Sequence, residues 1–172
     1  FLLTKHKKRT KFNHYLSVRF LSAIIIIMER KLNIELIPDG SWGYNLRSVL
    51  PKNLWDIVRK DAVKEANGKC MICVTPSKRL EAHERWSFDT KTSVQKLVGV
   101  IAVCPMCHKA IHMERSHLFE NAEAVEDWYM KVNGCSYADM RNDMGEANKL
   151  QKERNKVSEW FLDLSYLKKF CK

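Results

Sequence analysis

The first 27 positions contain neither aspartate nor glutamate, and the whole 172-residue chain shows no internal repeat and no low-complexity linker. No apolar run approaches the roughly 20 residues that a membrane-spanning helix needs; the nearest candidate, Phe20 to Ile27, is far shorter. No small-residue cleavage site follows it either, since Met28-Glu29-Arg30-Lys31 come next. The basic run Lys5 to Lys11 plus this apolar stretch therefore does not complete a secretory signal. No membrane partner is expected on these grounds. The break at Met28 predicts that residues 1–27 are an N-terminal extension outside the fold, with Met28 as the natural start. A basic arm for a membrane surface or nucleic acid is the rival reading of that stretch.

What is present is the composition of a globular chain: 45% hydrophobic and 29% charged residues. Thirty basic residues against 20 acidic ones give +10. Six of the basic residues lie before Met28, so the remainder carries 24 against 20, a mild excess of +4. That excess suits a polyanionic partner without requiring one.

Read in order, Leu32, Ile34 and Leu36 alternate as in a short strand, closed by the turn signal Pro38-Asp39-Gly40. Pro51 opens a helix to about Asn67-Gly68, with Leu54, Trp55, Val58, Ala62 and Val63 as its apolar stripe. Residues 79–86 read as a strand that puts Leu80, Ala82 and Glu84 on one face and Glu81, His83 and Arg85 on the other. Residues 87–93 read as polar loop, and 94–103 as a second strand. A helix begins at Pro105, where a first-turn proline is tolerated. Further helices are expected over 121–132 and from the Ser136/Asp139 capping box to about Val157, with an apolar piece at 160–165 packed back on the domain.

The chemistry concentrates between Cys70 and His112. Cys70, Cys73, Cys104 and Cys107 form two CxxC pairs separated by 30 residues (104 − 73 − 1). Such pairs close one tetrahedral all-thiolate zinc site and argue for metal in a reducing cytoplasm over a disulfide framework. Cys135 and Cys171 read as ordinary thiols. His108 and His112 are four apart on the helix from Pro105, so they share a face and can grip one ion. The competing assignment gives His108 to the cysteine site and leaves His112, like His117, on the surface.

Cys-x-x-Cys, a strand with His83, and Cys-Pro-x-Cys-His-x-x-x-His together resemble the HNH endonucleases of the His-Me finger (ββα-metal) superfamily. The similarity is greatest to zinc-knuckle members found in phage and bacterial genomes, and His83-Glu84-Arg85-Trp86 and Gln95 to Cys104 add to it. The resemblance implies an α+β fold: a ββα-metal core with a four-cysteine zinc knuckle, flanked by helices. It divides the chain into the extension 1–27, a lead-in strand and helix 28–69, the HNH domain 70–117 and a C-terminal helical region 118–172. It implies a cytoplasmic enzyme, of bacterium or phage-infected host, that hydrolyses DNA phosphodiesters with a catalytic Mg2+, Mn2+, Ni2+ or Zn2+ beside the structural zinc. His108 and His112 match the helix ligands of that ion and His83 matches the first-strand histidine. His83 is expected to be the general base, as neutral imidazole suits proton abstraction near pH 7. The other alignment makes His83 a ligand and Glu84 the base. The family's middle asparagine, which orients the base, falls near Gly99 and has no replacement. Lys78, Arg79, Arg85 and Lys109 are the expected phosphate contacts. A zinc-stabilised DNA-binding module without catalysis is the alternative function, and a zinc ribbon for protein contacts is a third.

Overall fold

The computed structural model describes residues 29–116 and 122–171, so the expected extension and His117 lie outside the described residues. Residues 33–38 form no strand, which corrects the strand expected from Leu32 to Ile37. Leu32 and Leu36 are buried, yet amide side chains take the place of a neighbouring strand. Asn133 accepts from the Leu32 N–H (3.0 Å) and donates to its carbonyl (2.9 Å). Gln151 donates to the Ile37 carbonyl (3.0 Å), and Asn155 accepts from the Asp39 N–H (2.9 Å). The Glu35 N–H goes to the Ile111 carbonyl (2.8 Å). A buried backbone must find partners, and these satisfy it without a ladder.

Two helices follow, α1 (Leu46–Val49) and α2 (Lys52–Glu65). Pro51 stands immediately before α2, and Trp55, Val58 and Ala62 are its buried stripe. Val63, expected in that stripe, is exposed. Asn67 and Gly68 adopt φ of 48° and 74°, the left-handed geometry that ends helices, and deliver the chain to Cys70.

Strands β1 (Glu81–Asp89) and β2 (Val94–Val103) form an antiparallel hairpin. β2 has the expected bounds, but β1 runs on to Asp89 through residues read as loop. Phe88 explains this: its ring meets Trp160 edge-on at 5.1 Å and lies under the Arg154 guanidinium at 4.5 Å. The helices α3 (Pro105–Ile111), α4 (Met113–Ser116), α5 (Ala122–Asn133) and α6 (Tyr137–Arg154) come next. Both bonds of the Ser136/Asp139 capping box are present at the start of α6. The terminal apolar piece is a short strand, β3 (Phe161–Asp163), parallel to β2, followed by a 3-10 helix over Ser165–Phe170.

The result is an α+β fold on a three-stranded sheet of order β1-β2-β3, with a core on each face. Leu97, Val100 and Ala102 of β2 bury against α2 and the 3-10 helix. Val103 and Ile101, on the opposite side, pack with the cysteines, α3 and α5. Because strand side chains alternate, β1 presents Glu81 and His83 to this second core and Ala82 and Glu84 to the first. No helix among the described residues is long and apolar enough to cross a membrane.

Candidate metal centres

The first cysteine pair sits in a turn pinned to the end of β2. Met71 N–H bonds the Ala102 carbonyl (3.0 Å), and Val74 N–H closes the turn on the Cys70 carbonyl (3.0 Å). Val74 takes a φ of 54°, unusual for a β-branched residue. The second pair opens α3: Cys104 is the N-cap, its sulfur accepting from the Cys107 N–H at 3.5 Å, and Pro105 follows. One atom from each of the four cysteines lies within 4.8 Å of the others. A tetrahedral ion with sulfur at about 2.3 Å needs sulfurs roughly 3.8 Å apart; Cys73 and Cys104 are 3.9 Å apart.

Burial pushes the Cys104 and Cys107 thiols up, and the charge of Cys70 adds to it at both. For Cys73 burial acts the same way, but hydrogen bonds from Thr75 and the adjacent thiols outweigh it and bring it down to about 7. Four sulfurs from two CxxC turns gathered this closely are the donor set of a closed tetrahedral site, so they fit a structural zinc. The Trp128 indole N–H donates to Cys107 Sγ at 3.3 Å, a bond that suits a thiolate.

The second centre is built from nitrogen. His83 is buried on β1 at 4% exposure, while His108 lies in the last turn of α3. His112 caps that helix and does not belong to it, correcting the expected helix by one residue; its N–H still reaches the His108 carbonyl at 3.3 Å. The three rings form a near-equilateral triangle, with centroids 5.4, 5.2 and 5.3 Å apart. Imidazole nitrogens at about 2.0–2.1 Å from a tetrahedral ion place ring centroids roughly 5.2 Å apart. One ring nitrogen of each lies within 4.8 Å of the others. His83 Nε2 is buried with no aligned hydrogen-bond partner among the described residues, a cost that an ion would remove. Burial, helped by the charges of His83 and His108, pushes His112 down to about 4, so its ring is neutral at pH 7.

Two carboxylates that were not among the expected site residues stand beside these rings. Glu81 Oε2 is 2.8 Å from His108 Nδ1, which leaves Nε2 as the lone pair that His108 can give an ion. The other Glu81 oxygen holds Arg79 at 2.7 Å. Burial works to raise the Glu81 carboxyl, but His108 and Arg79 outweigh it and hold it below the usual carboxylate range. The signal for Glu81 was available: it lies two residues before His83, on the same strand face. Glu35 Oε2 is 3.3 Å from His83 Nε2, and its carboxyl is likewise held low, with His83, His112 and Arg154 outweighing burial. Nothing local in the sequence connects residue 35 with residue 83.

Glu84, expected as the alternative base, does not join the histidines. Strand alternation turns it to the opposite face, where it accepts from the Leu46 N–H (2.9 Å) and the Trp86 indole (3.1 Å). Burial raises its carboxyl against those bonds. Gly99, the position at which the resemblance expects an asparagine, lies opposite Arg85 with open space above it. Lys78, Arg79, Arg85 and Lys109 are all exposed, and Arg85 shares the strand face of His83. The four cysteines and three histidines are thus brought together in two adjacent clusters that meet at Cys107-His108. No family model matches the chain, and no curated protein or solved structure matches it.

Proposed function

We propose that this chain is a metal-dependent DNA endonuclease of the HNH type, which hydrolyses phosphodiester bonds at the histidine cluster. In this reading β1, β2 and α3 form the ββα-metal finger, and the cysteine-bound zinc holds its two ends together. The observation that carries the reading is the histidine triangle, whose side lengths match three imidazoles on one tetrahedral ion. Three protein ligands leave a fourth position open, the arrangement of catalytic rather than structural sites. The same triangle supports His83 as a ligand beside His108 and His112, in preference to the base. A divalent ion held there stabilises charge on the scissile phosphate and on the leaving oxygen. The exposed Lys78, Arg79, Arg85 and Lys109 lie close in sequence to the cluster and suit the DNA backbone, since phosphate contacts come mainly from such side chains.

The test is incubation of the protein with supercoiled plasmid and magnesium, manganese or nickel, with and without chelator. Relaxed or linear product that disappears with chelator is expected. A protein that binds DNA but cuts with none of these metals is the catalytically inactive, zinc-stabilised DNA-binding module instead.

A further inference from the structure

A site that spends all three histidines on the ion lacks a group to take the proton from the attacking water. We infer that Glu35 is that group, the general base of the phosphodiester hydrolysis proposed above, on which this inference rests. Its carboxylate is 3.3 Å from the buried His83 Nε2, at the edge of the triangle, and does not belong to the three-residue ligand cluster. The side chain is 42% exposed, so it connects the buried ring to solvent and to an incoming phosphodiester. The other carboxylates nearby are committed elsewhere. Glu81 is engaged by His108 and Arg79, and Glu84 by Leu46 and Trp86 on the far face.

Glu35 is also held in place. Its N–H is bonded to the Ile111 carbonyl at 2.8 Å, one residue before His112. Leu36 beside it is buried, and Ile34 packs on the cysteine-containing core. The lead-in thereby delivers a fixed carboxylate to a site whose other parts come from residues 81–112. A base must be pre-positioned within hydrogen-bond reach of the proton it takes, directly or through one water.

The step balances as follows. A water O–H bond breaks and its proton passes to a Glu35 carboxylate oxygen. The water oxygen bonds to phosphorus as the P–O ester bond breaks, its electron pair leaving with the alkoxide oxygen. That oxygen takes a proton from solvent, and Glu35 returns its own to solvent.

Three variants test this, with nickel titrated into the zinc-loaded protein by calorimetry alongside the cleavage kinetics. Glu35→Gln should bind nickel as the wild type does and keep its KM for DNA, while kcat falls by about 10²–10⁴-fold. Glu35→Asp, which keeps a carboxylate, should retain more activity than Glu35→Gln. His83→Ala should weaken nickel binding by at least about 100-fold, as loss of a ligand exceeds the 10–100-fold typical of a supporting residue. Cleavage by Glu35→Gln at the wild-type rate overturns the role of Glu35 alone. Loss of nickel binding in Glu35→Gln also overturns it, by making Glu35 a ligand. His83→Ala that binds nickel normally yet cuts slowly returns the base to His83. A wild type that binds nickel and DNA but never cuts removes the hydrolase reading, and the role of Glu35 with it.

Discussion

The two clusters sit on neighbouring residues of one helix, Cys107 and His108, yet they are built on opposite principles. The cysteine cluster is closed: four sulfurs, three of them buried, with an indole N–H as outer support. The histidine cluster is open: three nitrogens, two of them half-buried, with Glu81 behind His108 and Glu35 beside His83. Soft thiolates in a full tetrahedron suit an ion that holds chain segments together. Imidazoles with carboxylate support and a free position suit an ion that exchanges and meets substrate. The lesson is that burial and donor count separate the two roles even where one turn of helix supplies both.

The sharpest way to break this contrast is to remove one donor from each cluster. Cys70→Ser should strip the zinc and cost at least about 5 kcal/mol of stability, since structural zinc binding is folding free energy. For a chain of this size that is roughly 10–20 °C in Tm. Metal analysis and thermal unfolding check it, and an unchanged zinc content would remove the structural role.

A smaller effect is expected on the histidine side. Glu81→Gln frees His108 Nδ1 from its carboxylate and should weaken binding of the second ion about 10–100-fold, with little change in Tm. Nickel titration of the zinc-loaded protein reads this directly. Equal affinity in variant and wild type would show that Glu81 serves Arg79 alone.

The smallest effect sharpens the comparison from the cysteine side. Val74, 71% exposed, holds a left-handed φ beside Cys73, a conformation that costs an L-residue about 1–2 kcal/mol. Val74→Gly relieves that strain but adds backbone freedom to the unfolded chain, at about 0.5–1 kcal/mol. A net gain of up to about 1 kcal/mol is expected in the denaturant midpoint of the zinc-loaded protein. A loss would mean that the isopropyl group makes a contact worth more than the strain.

Local signals carried much of this fold. The CxxC spacing, β2 from Val94 to Val103, the proline before α2 and the Ser136/Asp139 box are each legible within a few residues, because caps, turns and knuckles are local physics. The His83, His108 and His112 convergence needed only a strand followed by a helix. What was not legible depends on distant partners. The lead-in reads as a strand by alternation, but pairing depends on a neighbour, and the neighbours here are amides from α5 and α6. β1 outran its expected end because Trp160 and Arg154 cover Phe88, and His112 fell just past its helix. Glu84, the alternative base, lies on the other face from His83, as strand alternation requires. Glu35 reaches His83 across nearly 50 residues with no periodicity to announce it.

The amide-stitched lead-in has a consequence for how the chain assembles. Its bonds span 101 residues to Asn133, 114 to Gln151 and 116 to Asn155, and Arg30 reaches 113 residues to Asp143. Contacts of such high sequence separation form late, since the cost of closing a long loop is met before the contact is gained. During synthesis, Leu32 and Glu35 leave the ribosome long before the helices that hold them exist. The cysteine knuckle, with both CxxC pairs already made by residue 107, can load its ion and order the hairpin first. The bonds that tie Arg30, Ile37 and Asp39 to α6 and its cap then close only when α6 is complete, so the lead-in settles after segments made later than itself.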